Sequence, residues 1–184
     1  PHAYPPWQTV CHSFRLWRLD GRWARLSAIV CAATRVRLGR RAEPAAAILA
    51  SQSAKTTAKG GPGGRDGAKQ VNGRTRHRLV DTAGLPRQVL VHPATIADRD
   101  GARAVLVRAR ARHPTLTRVW ADAGDAGARL AWAKRELNPT VTIAKRPRRW
   151  VWTRADQEPA PRPAGFIIMP RRWVVERTFG WLGR

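Results

Sequence analysis

With 184 residues, 43% of them hydrophobic and nine of them Trp, the chain can bury a substantial core, which excludes a disordered basic tail and leaves room for one ordinary domain with a small appendage. Its 35 Lys and Arg against 12 Asp and Glu give a net charge of +23 and call for a polyanionic partner. Nucleic acid comes first, because each neutralised phosphate releases condensed counterions; GC-rich coding also enriches Arg, but it does not suppress acids. No apolar run approaches the ~20 residues that span a membrane, no charged-then-apolar leader is visible, and nothing points to a small-molecule substrate.

Residues 7–19 (WQTVCHSFRLWRL) put Val10, Phe14, Leu16 and Trp17 on one helical stripe behind Pro5-Pro6. Asp20-Gly21 breaks that helix, and residues 22–33 predict a second one carrying Trp23, Leu26, Ile29 and Val30. The pair makes a small helical hairpin, related in outline to a helix-turn-helix, and a basic linker runs from Arg35 to Pro44. Cys11 and Cys31 fall in these helices and are expected as buried free thiols, since a zinc site needs more ligands.

From Ala45 the period changes. AAAILAS reads as a short buried strand, and the following KTTAKGGPGGRDGAKQVNGR is too polar and glycine-rich for regular structure. TRHRLVDT and RQVLVHPA alternate around Ala83-Gly84-Leu85-Pro86, a β-hairpin signal. Asp98 and Asp100 offer N-caps to a helix over about 99–112 with Ala102, Val105, Leu106 and Ala109 inward. TRVWAD predicts a strand, residues 126–137 a helix, and TVTIAK another strand. KRPRRWVWTR and ADQEPAPRPAG make a loop, and a last helix starts near Pro170. Three antiparallel strands followed by helix-linked strands is the order of a ribonuclease H-like α/β fold, a mixed sheet flanked by helices. The division expected is 1–37 for the helical segment and 45–184 for the α/β domain.

In so basic a chain the placement of each acid matters. Asp122 ends the apolar strand Val119-Trp120-Ala121, and Glu176 lies among Arg171, Arg172 and Arg177 on a Trp/Val/Phe-rich helix. Taken alone, Asp122 reads as a turn or cap residue. Glu176 four residues after Arg172 likewise has the spacing of a helix salt bridge. The two acids also suit a carboxylate set that holds Mg²⁺ for phosphodiester chemistry.

The blocks PPWQTVCHSFRLWRLDGRW, SQSAKTTAKGGPGGRDGAK, GRTRHRLVDTAGLP, VHPATIADRDGA, VWADAGDAG and PRRWVVERTFGWLGR, in this order, resemble the bacterial insertion-sequence transposases of the DDE class. That resemblance implies DNA strand cleavage and strand transfer with two Mg²⁺ (or Mn²⁺) ions, a cytoplasmic, nucleoid-associated protein, self-association on DNA, and terminal repeats and target DNA as partners. It casts Asp122 as the second metal-binding acid and Glu176 as the third. The first should precede SQS, in the pattern I-I-D-S-Q-S, where this chain has Ile48-Leu49-Ala50-Ser51-Gln52-Ser53. Ala50 therefore replaces the first acid and implies an inactive copy, or a DNA-binding remnant that occupies or represses element ends. Asp81 and Asp66 are the acids nearest to hand for a rescue. Asp125 replaces the family's Tyr and reads as a helix cap, and Met169 replaces another Tyr. The start at Pro1 and the stop at Arg184 inside a helix suggest a truncated copy.

For DNA, Lys55, Lys59, Arg65, Lys69, Arg74 and Arg76 lie in or beside the glycine-rich stretch, where backbone can approach phosphate. Lys145 and Arg146 open a cluster with Trp150 and Trp152 that could stack on unpaired bases or pack on the core. Arg172 and Arg177 flank Glu176. His77 and His92 are expected to be structural or phosphate-facing.

Overall fold

Pro6 holds an extended backbone (φ −50°, ψ 140°), and helix α1 starts directly after it, spanning Trp7–Leu19. Gly21 takes the left-handed conformation (φ 77°) that the sharp reversal requires, and α2 spans Arg22–Arg37. The structure, a computed structural model, describes residues 4–56, 60–122, 132, 135–136, 140–144 and 172–182. Two units emerge, Pro1–Glu43 and Pro44–Arg184.

In the first unit the hairpin closes on aromatic rings. Trp23 packs 5.5 Å from Phe14 and 5.1 Å from Trp17, and its Nε1 donates to the Phe14 carbonyl at 3.2 Å. The stripe Val10, Phe14, Leu16, Trp17 is nevertheless not buried, and no residue of α1 is. Cys11 shares that exposure, against the expectation of a buried thiol; Cys31 is buried, and the two form no disulfide. The second helix also runs four residues past the expected end. Nothing from Thr34 to Arg37 breaks a helix, and the stop comes only at Gly39 (φ 68°), where Arg40 N–H reaches back to the Arg35 carbonyl at 2.9 Å.

The second unit is built on a mixed sheet of six strands among the described residues: β1 (Ala46–Lys55), β2 (Gly64–Asp66), β3 (Val71–Asp81), β4 (Pro86–Pro93), β5 (Arg118–Asp122) and β6 (Thr140–Ala144). The order is β2-β3-β1-β5-β6, with β4 also on β3. β3 pairs antiparallel with β1, β2 and β4, while β5 runs parallel to both β1 and β6. With helices α3 (Asp98–Arg112) and α4 (Arg172–Leu182) against it, this is the ribonuclease H-like α/β arrangement that the element order predicts.

Two details differ from the sequence reading. β1 continues through Ser51–Lys55, and the glycine-rich stretch holds β2 and the start of β3. Both are polar strands that pair because Gly73 lets the chains close in: a Cβ there would stand 1.9 Å from the Ala54 carbonyl oxygen. The N-cap of α3 is Ala97, because the Asp98 carboxylate is drawn to Lys69 at 2.8 Å. The helix expected over 126–137 lies mostly outside the described residues, as do the loop from Lys145 and residues Asp125 and Met169.

Strand alternation divides the sheet's side chains between two faces. Ala47, Leu49, Leu79, Val119 and Ala121 pack with Val105, Leu106 and Ala109 of α3. Ile48, Val80, Ala50 and Trp120 pack with Val174, Val175 and Phe179 of α4.

Candidate functional site

Ala50 lies in the middle of β1, flanked by β3 on one side and the end of β5 on the other. The parallel register Ala46↔Arg118, Ala47↔Val119, Ile48↔Trp120, carried on by two residues, brings position 50 level with Asp122. The two-residue period of β5 assigns position 122 to the Trp120 face, which is the face that α4 covers. The fold thus gathers position 50, the end of β5 and the helix of Glu176 on one side of the sheet. Glu176 itself is exposed, between the buried Val175 and the half-buried Arg177.

Helix α4 is pinned to this face from below. Thr178 Oγ1 donates to the Gly84 carbonyl at 3.0 Å, and Arg177 donates to the Ala83 carbonyl at 3.3 Å. Gly84 (φ 87°) belongs to the turn after β3, and a Cβ there would come within 3.1 Å of Arg177 and 3.3 Å of Thr178. Arg177 lies between the rings of Trp173 and Trp181, 4.7 and 4.6 Å from their centroids. Its place is therefore set by stacking and by the turn, a constraint that its position on the helix alone did not reveal.

The same face of β3 carries three arginines in a row. Opposite Ala54, Gln52 and Ala50 stand Arg74, Arg76 and Arg78. Arg74 is tied to the glycine-rich segment through the Pro62 and Gly60 carbonyls at 2.8 and 3.0 Å. Arg76 is half-buried, and its Nε has no hydrogen-bond partner among the described residues. Arg78, not singled out in the sequence, is only 5% exposed. The alternation of Arg74, Arg76 and Arg78 was the available signal, but it does not say which face a helix will cover.

The acids considered as replacements are employed elsewhere. Asp81 is fully buried, accepts from Ala83 N–H at 2.8 Å and Leu85 N–H at 3.1 Å, and faces Arg87 at 3.7 Å. It shapes the β3–β4 turn, and its strand partner is Ala47, three residues from position 50 and on the other face. Desolvation, the largest single effect on Asp66, raises its pKa, but hydrogen bonds from Ser53 Oγ at 2.6 Å and from the Lys69 and Ala68 N–H groups, with the Lys69 charge, together hold its carboxyl below the ordinary value. Neither stands beside Ala50. Lys69 is likewise engaged, bonded to Asp98 at 2.8 Å and close to Asp66 at 3.6 Å. Lys55 is exposed at the end of β1, whereas Lys59, Lys145 and Arg146 lie outside the described residues, as does the side chain of Arg172.

His77 and His92 are structural on this evidence of packing. Their rings lie 4.9 Å apart under α3, where Gly101 admits them, since a Cβ there would stand 2.4 Å from each ring. Burial foremost, and then His92, lower the pKa of His77 to about 4; the Asp98 carboxylate, 3.8 Å from Nε2, opposes the shift.

A central strand whose middle lies level with the end of its parallel neighbour, and a covering helix with one exposed acid, make up the geometry that known proteins can be compared with. The transposase DDE domain family matches residues 33–184. The chain belongs to that family. No curated protein and no solved structure gives a match.

Members of the transposase DDE domain family act on DNA, and divalent metal ions are the usual cofactor of such domains. Among the described residues, those around position 50 do not fit a two-ion centre. At position 50 the strand offers a methyl group, and directly across the ladder stands a buried guanidinium rather than a ligand. A dication placed there would meet a fixed positive charge.

Proposed function

We propose that this transposase-family chain binds DNA through the cationic side of its α/β domain and lacks strand-cleaving activity. The observation that carries the reading is Ala50, central in the sheet, level with the end of β5 and opposite Arg78. Asp122 and Glu176 are then the two remaining members of an acid set whose ancestral task was metal-dependent cleavage and strand transfer in DNA transposition. Arg76, with Arg74 beside it and Lys55 and Arg65 at the strand ends, supplies phosphate contacts. Lys59, Lys145, Arg146 and Arg172 extend that set by sequence.

On this reading residues 1–37 form a helical segment for DNA ends or a partner subunit, and the protein acts beside DNA in the cytoplasm, with self-association on element ends. Occupying or repressing those ends is the role left to a family member without cleavage, and the same Ala50 favours it.

The test is fluorescence anisotropy with duplex DNA across a salt series. Binding should weaken steeply with salt, and Arg76→Ala should lower the log–log slope by about 1, the loss of one phosphate contact. Asp122→Ala and Glu176→Ala should leave binding unchanged. Salt-independent binding, or loss of binding with either acid, would overturn the reading.

A further inference from the structure

A buried cation with no counter-ion among the described residues demands an explanation, and Arg78 is one. Its guanidinium lies 4.6 Å from the Phe179 ring and donates one long hydrogen bond, 3.4 Å, to the Thr178 carbonyl. Its Nε has no partner, and no carboxylate pairs with it among the described residues. Burial, and then the neighbouring Arg76, push its pKa down, both effects disfavouring the charge it carries. Such a group is costly unless an anion or a full set of acceptors meets it.

The residue across the ladder is Ala50. Side chains directly opposite on an antiparallel pair have Cβ atoms about 4.5–5.5 Å apart and share one face. Ala50 also packs against the cluster that contains Phe179, the ring that covers Arg78. A carboxylate projecting from position 50 would enter the same enclosed space as the guanidinium. Arginine presents a planar fork of donors matched to a carboxylate, and the free Nε provides one of its prongs. A hydrated dication competing for that carboxylate would have to approach a fixed positive charge.

We propose that Arg78 is a lock on the carboxylate centre: an acid restored at position 50 pairs with Arg78, so that Ala50→Asp alone does not rebuild a metal site, whereas Ala50→Asp with Arg78→Leu does. The inference rests on the reading of position 50 as the place of the first acid. It concerns this chain's own residues and assigns Arg78 a role in deciding which cation the centre accepts.

Four proteins test it: the chain itself, Ala50→Asp, Arg78→Leu, and the double variant. Each is followed by calorimetric melting and by Mn²⁺ titration with electron paramagnetic resonance. In the presence of Arg78, Ala50→Asp should raise Tm by about 5 °C, by giving a buried cation its partner. In the Arg78→Leu background the same substitution should lower Tm, because the carboxylate is then buried alone. Only the double variant should bind Mn²⁺ at least tenfold more tightly than the chain itself. Arg78→Gln provides the same contrast where Leu does not fold.

Additive Tm shifts would overturn the pairing. Mn²⁺ binding by Ala50→Asp as tight as by the double variant would overturn the lock. A coupled Tm with no gain of Mn²⁺ binding in the double variant would overturn the reading of position 50 as a metal-ligand site, on which the lock depends.

Discussion

The two faces of the central sheet are made by the same strands, yet they handle charge in opposite ways. On the α3 face, beyond the core of Leu49, Leu79 and Val119, the charged groups are matched, although both ring nitrogens of His77 and Nε2 of His92 are buried with no hydrogen-bond partner among the described residues. Ser53 meets Asp66 and Thr75, Lys69 meets Asp98, and Asp81 meets its own turn. On the α4 face, beyond Ile48 and Val80, β3 presents Arg78, Arg76 and Arg74 opposite Ala50, Gln52 and Ala54, with no acid on β1 to meet them. One face is finished in charge within the chain. The other is left cationic, and a polyanion or a missing acid is what completes it.

The comparison is broken most severely on the finished side. Gly101→Ala would put a Cβ 2.4 Å from both His77 and His92, two rings enclosed by the sheet and α3, with no room to retreat. It should cost about 3 kcal/mol or more by overpacking, a fall of about 10 °C in Tm by calorimetry. The α4 face, by contrast, should keep its DNA affinity wherever the protein remains folded.

Acid attacks the same side. The folded-state pKa of His77 is about 4, against 6.5 when unperturbed. Between those values the unfolded chain takes up a proton that the folded chain refuses. Its contribution is therefore complete above pH 6.5, shrinks as pH falls towards 4, and changes little below. The loss is at most about 3 kcal/mol. Urea unfolding from pH 7 to 4 should show it, and His77→Leu should flatten the profile in that window.

The smallest effect sharpens the other face. Thr178→Val keeps the shape of the side chain while removing the hydroxyl that bonds to the Gly84 and Val174 carbonyls. A loss of about 1 kcal/mol is expected, with the α4–turn contact loosened and the pH profile of His77 untouched.

The sequence made the strand-and-helix order legible, because long alternating runs such as TRHRLVDT and the spaced apolar residues of α3 are local signals. It hid what depends on partners. The polar part of β1 and the short β2 show no apolar period, and they form only because Gly73 permits close pairing. Asp98 looked like a helix cap until Lys69, 29 residues earlier in the chain, claimed its carboxylate. For the candidate site, Ala50 was legible through its neighbours Ser51-Gln52-Ser53, and Asp122 through the strand it ends. Arg78 was not, since an arginine in an alternating strand reads as solvent-facing. Its burial comes from Phe179, about a hundred residues away in the chain.

The central claim is that one side of this family member's sheet has lost its cutting chemistry while keeping its charge. Plasmid nicking in Mg²⁺ and in Mn²⁺ tests it most directly, comparing the unaltered chain with Asp122→Ala. The account predicts intact supercoiled plasmid with both proteins, at concentrations where both bind DNA. Nicking by the unaltered chain that disappears in Asp122→Ala would contradict it, because the acids present would then suffice without one at position 50.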